Sequence, residues 1–259
     1  MPRPLKILLL ALVATFVVAA PASADVRYRF LQFNMCGAKC NGGKTGEPVD
    51  AIVRTILDHR PHAVSLNEVC RPQHRKLLRL LREAGYRMGG LFATTKPHED
   101  RCDGKGFGNA ILSRRRVERA FVLPLPNPGG AREHRKMACV TAALALPTIL
   151  CSTHLAPRPE RLLERQLTAV AEIGFMMSAE APTVLMGDLN VPPGVLRRLG
   201  LTRRYRDVDH ADDESTLGRS KIDYILVSRR WWREVEGDAT RSHVSDHDPL
   251  RGAATLDTN

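Results

Sequence analysis

Six strand-like apolar segments of this chain each carry a carboxylate, an amide or an imidazole at or near one end. RFLQFN ends on Asn34, AVSLNE on Glu68 and ILCSTH on His154. TVLMGDLN delivers Asp188 and Asn190, KIDYILV opens with Asp223, and VSDHDPL carries Asp246 and His247. An Asn or Asp that closes a strand is more often a turn residue, so no single position argues for a site; the recurrence does. The donor types suit one reaction. Hard oxygen ligands (Glu68, with Asn34 or Asp246 near it) favour Mg²⁺, with Mn²⁺ or Ca²⁺ as alternatives, over zinc. Two histidines can divide acid and base work near neutral pH, and a carboxylate beside one of them fixes its tautomer. Hydrolysis of a phosphate ester needs an activated water, neutralised phosphoryl oxygens and help for the leaving oxygen. This inventory supplies all three.

The elements that must position these groups alternate between strand and helix. Strand-like pieces are read at Arg27–Phe33, Ala63–Asn67, Asn109–Leu112, 137–145, 148–154, Thr183–Met186, Ile222–Val227 and Arg251–Leu256. Helical spacing marks Val49–Asp58, Arg71–Glu83 with Gly85 as its stop, and Glu160–Met177. The strands at 137–145 and 148–154 leave no room for a crossover helix, which argues for a sandwich over a doubly wound parallel sheet. Pro124–Gly130 reads as a surface loop. Gly42-Gly43-Lys44-Thr45 imitates a phosphate loop, but the pattern needs glycine where Ala38 stands.

The chain has 259 residues, 43% hydrophobic and 26% charged, which is ordinary globular composition; at 5%, aromatics are too few for a broad stacking platform. Residues 1–24 are read as a secretory signal: Arg3 and Lys6 precede the apolar run Ile7–Ala20, and Ala22-Ser23-Ala24 offers a cleavage site. That run is shorter than the roughly 20 residues a membrane span needs. The expectation is a secreted monomer without a membrane anchor, one catalytic domain over 25–259. Removal of the signal takes the charge from +11 to +9. In an oxidising compartment six cysteines suggest disulfides. Cys36 and Cys40 enclose a short loop, Cys139 and Cys151 lie on consecutive strands, and Cys70 and Cys102 remain; buried free thiols are the alternative.

SLNEV, GNAILSR, STHL, GDLN, IDYILV and SDHDPL, in that order, resemble the endonuclease/exonuclease/phosphatase superfamily, the group that contains deoxyribonuclease I. The resemblance runs over about residues 28–256. It implies an α/β four-layered sandwich, two mostly antiparallel sheets packed face to face with helices outside, and metal-dependent cleavage of phosphate esters. It further implies a metal site at Glu68, Asn34 and Asp246, and His247 as general base oriented by Asp223. His154 would meet the scissile phosphate, and Asp188 with Asn190 would position water and a phosphoryl oxygen. Arg135 resembles a phosphate-facing arginine, a role for which Arg132 competes. Asn109 would hydrogen-bond His154 or the phosphate. The GNAILSR stretch has no glutamate, which several members carry nearby, and LNEV replaces the commoner LQEV.

The superfamily fixes reaction better than substrate. The positive charge favours a polyanion, so the expected partner is nucleic acid, DNA first and RNA as the alternative. Arg71–Lys76, Arg114–Arg116 and Arg203-Arg204 are candidate backbone contacts, set against the reading that they are solvated faces. A phospholipid or inositol-phosphate esterase is the alternative, for which Trp231-Trp232 between arginines is the one supporting feature; packing of these tryptophans against the sheet is preferred. A non-catalytic polyanion-binding module is the third reading, opposed by the complete set of catalytic positions. The acidic run Asp207–Glu214 reads as a solvated loop, with a structural Ca²⁺ site as the alternative.

Overall fold

The computed structural model describes residues 26–209, 211 and 214–258. Twelve strands form two six-stranded sheets. The first is built from β1 (Val26–Asn34), β2 (Ala63–Cys70), β3 (Gly89–Glu99), β4 (Lys105–Ser113), β11 (Trp232–Ala239) and β12 (Leu250–Leu256), in the order β11-β12-β1-β2-β4-β3. The second contains β5 (Val117–Pro124), β6 (Lys136–Ala143), β7 (Pro147–His154), β8 (Thr183–Asp188), β9 (Tyr205–Asp207) and β10 (Asp223–Ser228), in the order β5-β6-β7-β8-β10-β9. Pairs β1–β2 and β7–β8 are parallel, and the others are antiparallel. Each parallel pair is joined by a crossover helix, as parallel connection requires: α1 (Glu47–His59) in the first sheet and α3 (Glu160–Glu180) in the second. Helix α2 (Arg71–Glu83) packs beside α1, and two short helices, α4 (Pro193–Arg198) and α5 (Leu201–Arg204), follow β8.

Strand parity builds the layers. On β1, Tyr28 and Phe30 enter the core between the sheets while Leu31 and Phe33 pack under α1 and α2. On β8, Val184 and Met186 face the first sheet and Leu185 faces α3. The inward set of each central strand is therefore apolar over most of its length and turns polar at one end: Gln32 and Asn34, Ser65 and Asn67, Ser152 and His154, Asp188, Asp223. These ends lie at the same rim because the strands are in register there. Asn34 pairs with Asn67, His154 with Asp188, and Asp188 with Asp223. Only glycine fits before Asp188, since a Cβ on Gly187 would lie 1.9 Å from the Thr153 carbonyl oxygen.

The three expected cysteine pairs are all disulfides, and the described residues contain no free thiol. Cys139 and Cys151 are direct cross-strand partners on β6 and β7. Disulfides persist in oxidising compartments, and no described helix is long and apolar enough to cross a membrane. The Cys70–Cys102 bridge joins the end of β2, two residues after Glu68, to a point 32 residues on. Replacing both cysteines by alanine should lower unfolding free energy by about 4 kcal/mol, from loop-closure entropy restored to the unfolded chain. Urea denaturation of the double variant measures this, and an unchanged midpoint would refute it.

Trp232 lies in the core, edge-on to Phe30 and Tyr28, and Trp231 donates its indole N–H to the Ser178 carbonyl at 2.9 Å. The pair packs against the sheet and the end of α3, which removes the support for the lipid reading. In the acidic run, buried Lys221 pairs with Asp207 and Asp209, so these carboxylates already have a counter-charge. His210, Asp212 and Asp213 of that run, and the expected signal 1–24, lie outside the described residues.

Candidate active site

At the polar rim, Asn34 ends β1 and divides its amide between functions. Its Oδ1 accepts the Cys36 N–H at 3.0 Å, while Nδ2 donates to Glu68 Oε1 at 3.2 Å and to Asp188 Oδ2 at 3.0 Å. Glu68 sits at an irregularity of the β2–β4 pairing with φ of 54°. Such a break re-aims a side chain that strict alternation would turn the other way. Burial pushes the Glu68 carboxyl up, opposed by the Asn34 hydrogen bond.

His247 is held by a different device. Its Nδ1 lies 2.8 Å from Asp223 Oδ2, and its Nε2 lies 3.7 Å from Asp188 Oδ2. The loop bearing it is seated by Ser245, whose hydroxyl donates to the Asn34 carbonyl at 2.8 Å and accepts the His247 N–H at 3.1 Å. Burial opposes the imidazolium, but the hydrogen bond and charge of Asp223, with Asp188 and Asp246, carry His247 up to about 9. His154 behaves oppositely. It is fully buried, and desolvation reinforced by the cations Arg135 and His247 holds it well below the ordinary imidazole range. Its Nε2 lies 3.4 Å from Asp188 Oδ2. The two histidines are thus split into a charged and a neutral partner about one aspartate, which burial and neighbouring Asp223 push up. Asn190, at φ of 55°, returns its backbone N–H to Asp188 Oδ1 at 3.0 Å and donates Nδ2 to the Leu155 carbonyl at 2.9 Å.

These shifts have a consequence for stability. Both Asp188 and His247 bind protons more tightly folded than unfolded, so their contribution falls as pH rises. For His247 it is complete below about 6.5 and lost by passage through about 9. The melting temperature of chelator-treated protein should therefore fall between pH 6.5 and 9, and this fall should be smaller in His247→Asn. Equal slopes in the two proteins would contradict the pairing.

The rim brings together Asn34, Glu68, His154, Asp188, Asn190, Asp223 and His247. Arg135, rather than exposed Arg132, joins them: its guanidinium reaches the His154 carbonyl at 3.5 Å and pairs with Glu133 at 3.1 Å. Asp246 stands further out, 42% exposed and 3.6 Å from Lys39. The expected Asn109–His154 hydrogen bond is not made. Asn109 Nδ2 and His154 Nδ1 are both buried without a partner, each side chain lying on its own sheet with no bond across the gap. Unpartnered buried nitrogens are costly unless a ligand satisfies them.

Several supporting residues carry no signal of their own in the sequence. Gln32 donates to both Asn67 Oδ1 at 2.7 Å and Asp223 Oδ1 at 3.1 Å, and Asn67 Oδ1 also accepts the Asp188 N–H at 2.9 Å. This buried amide pair ties the two sheets together beneath the rim. Thr216 accepts the Asp223 N–H at 3.1 Å. Glu133, from the loop between β5 and β6, lies near enough to raise Glu68 and accepts a hydrogen bond from Thr95 at 3.1 Å. Parity on β1 and β2 could have indicated Gln32 and Asn67; nothing local indicates Glu133.

The donor set fits a hard divalent cation. Glu68 offers its carboxyl oxygens from a poorly solvated position, and ligand atoms of Asp188, Asp223 and His247 all lie within 4.8 Å of one another. Oxygen donors predominate, as Mg²⁺, Mn²⁺ and Ca²⁺ prefer. Of the basic runs, Arg71 opens α2 three residues after Glu68: it donates to Thr94 Oγ1 at 2.8 Å and lies over the Phe92 ring, while Lys136 reaches the Thr94 carbonyl at 2.8 Å.

A sequence profile described as the Endonuclease/Exonuclease/phosphatase family matches residues 31–247. No match is found among curated protein sequences. Among solved structures, an endonuclease/exonuclease/phosphatase from Beutenbergia cavernae is similar at 22% identity and a TM-score of 0.71, over 89% of this chain and 72% of that one. The human nocturnin catalytic domain with bound sulfate follows at 19% and 0.70, over 89% and 94%. A mannosyl-6-phosphatase from Bacteroides thetaiotaomicron gives 16% and 0.64, over 88% and 99%. At these identities the likeness concerns the fold.

Proposed function

The chain belongs to the endonuclease/exonuclease/phosphatase family, whose members are phosphoesterases, and from that premise we propose that it is a secreted, divalent-metal-dependent phosphodiesterase that hydrolyses DNA, with RNA as the alternative substrate. The observation that carries the reading is the His247–Asp223 contact of 2.8 Å at the rim where Asn34 also holds Glu68. Asp223 fixes Nδ1, leaving Nε2 to take the proton of the attacking water as the new P–O bond forms. Asp188 and Asn190 orient that water. His154 and Arg135 face the phosphate, and the departing ester oxygen takes a proton from solvent water as its bond to phosphorus breaks. Asn109 offers its unpartnered amide to a phosphoryl oxygen. Glu68, whose carboxylate Asn34 steadies through Nδ2, would hold a divalent cation with Asp246, and the cation would supply charge neutralisation for the phosphoryl group. With a cation held at Glu68, the His247 imidazolium would be opposed and His247 would titrate lower than it does without the ion.

The formal charge of +9 left after removal of the expected signal, with Arg135 at the rim and Arg71 and Lys136 on Thr94, supports a polyanionic substrate. If nucleic acid is bound through its backbone, log Kd should rise linearly with log salt, each phosphate contact contributing a slope of about 0.9 on duplex DNA. Fluorescence anisotropy of a labelled duplex across 50–200 mM salt (order-of-magnitude limits) checks this. A flat response, with turnover of a sugar phosphate instead, would move the protein to the phosphomonoesterases.

A further inference from the structure

A second concentration of positive charge lies away from the rim. On the outer face of the first sheet, a cavity of ≈ 490 Å³ is lined by Arg27 and Arg29 of β1, Arg251 of β12, His59 at the end of α1, and His62. Arg29 is five residues from Asn34, roughly 17 Å along the strand. Glu236 and Asp238 of β11 form the opposite wall, and Glu236 is paired with Arg27. Among the described residues, Arg29 and Arg251 have no carboxylate within 4.0 Å, and Arg251 Nε is buried without a hydrogen-bond partner. His62 Nδ1 accepts the Arg29 backbone N–H at 3.0 Å, which places the ring proton of the neutral form on Nε2. A second depression of ≈ 290 Å³ shares His62 and is lined by Arg114 and Arg115. Arg114 is stacked 4.5 Å from the Tyr86 ring centroid. The two depressions thus carry five arginines against two carboxylates. The field they create is visible at the histidines: burial, then Arg29, Arg115 and Arg114, hold His62 down to about 4.

We propose that this cavity is a second oxyanion-binding site, built for a phosphate group, with Arg29 and Arg251 as charged donors and His62 as a neutral one. Guanidinium forks approaching with an imidazole N–H offer an anion donors from separate strands and a loop, which suits a tetrahedral oxyanion better than a planar carboxylate. The site stands independently of the catalytic reading, since none of its residues belongs to the rim.

The test is titration of inorganic phosphate into chelator-treated protein at low salt, followed by long-range ¹H–¹⁵N spectra of the histidine rings. Saturable shifts of His59 and His62 are expected. In Arg29→Gln/Arg251→Gln their apparent affinity should be weaker by about tenfold or more, with hydrolysis of a small phosphodiester unchanged. Should the double variant melt early, each single variant should show a smaller weakening in the same direction. Silent His59 and His62 signals while His154 and His247 respond would overturn the proposal, as would shifts that persist unaltered in the variants. A short oligonucleotide distinguishes the source of the phosphate. Shifts at lower concentration than with free phosphate assign the site to a polymer backbone; shifts with inorganic phosphate alone assign it to the free anion.

Discussion

Replacing His247 by alanine is expected to lower kcat on a phosphodiester by about 10²- to 10⁴-fold, the range a positioned general base contributes. The imidazole is the one group whose Nδ1 is fixed by a buried carboxylate, at 2.8 Å, while its Nε2 faces Asp188. Removing it takes away the proton acceptor without dismantling the scaffold. Asp223 keeps its hydrogen bond from Gln32 and its backbone contact to Thr216, and the loop keeps Ser245 on the Asn34 carbonyl. Circular dichroism and a thermal melt should therefore report a folded protein. Activity within a few-fold of the parent would remove His247 from the base role.

Glu68→Gln tests the other half of the site. The substitution keeps the shape of the side chain and removes the charge that makes the position a cation ligand. Divalent-metal affinity should weaken by at least about 100-fold, the upper end of what even outer-shell partners cost. Turnover should fall with it and recover partly at high metal concentration. Calorimetric titration with Mg²⁺ or Mn²⁺, alongside rate against metal concentration, measures both. Unchanged affinity would place the metal elsewhere, with the Asp188, Asp223 and His247 group as the nearest other set of donors.

What could be read from the sequence follows the burial of each strand. The eight strands anticipated from apolar runs are the interior strands of the two sheets, each hydrogen-bonded to a neighbour on both sides. The four without a signal, β3, β5, β9 and β11, are the four edges. Edge strands carry charges that discourage pairing with other chains, and β5 and β11 expose Glu118, Arg119, Arg233 and Glu234 where an interior strand would bury aliphatics. Helix α2 has its expected bounds, while α1 starts two residues earlier and ends one later, and α3 runs three residues further, differences typical of fraying and capping. At the site, residues that end interior strands were legible because their type breaks an apolar run. Glu133 was not, because its loop reaches the rim only through the pairing of β5 with β6. Asp246 shows the converse: the SDH motif names it, yet its recorded ion pair is with Lys39 at the rim's exposed side.

The most direct measurement is plasmid digestion by the purified protein with Mg²⁺ or Ca²⁺ against a chelator control, run beside His247→Ala. The reading predicts nicked and then linear DNA with metal, and intact plasmid with chelator or in the variant. Intact DNA in every lane, together with metal-dependent release of phosphate from a sugar phosphate, would contradict the nuclease assignment while leaving the phosphoesterase fold in place.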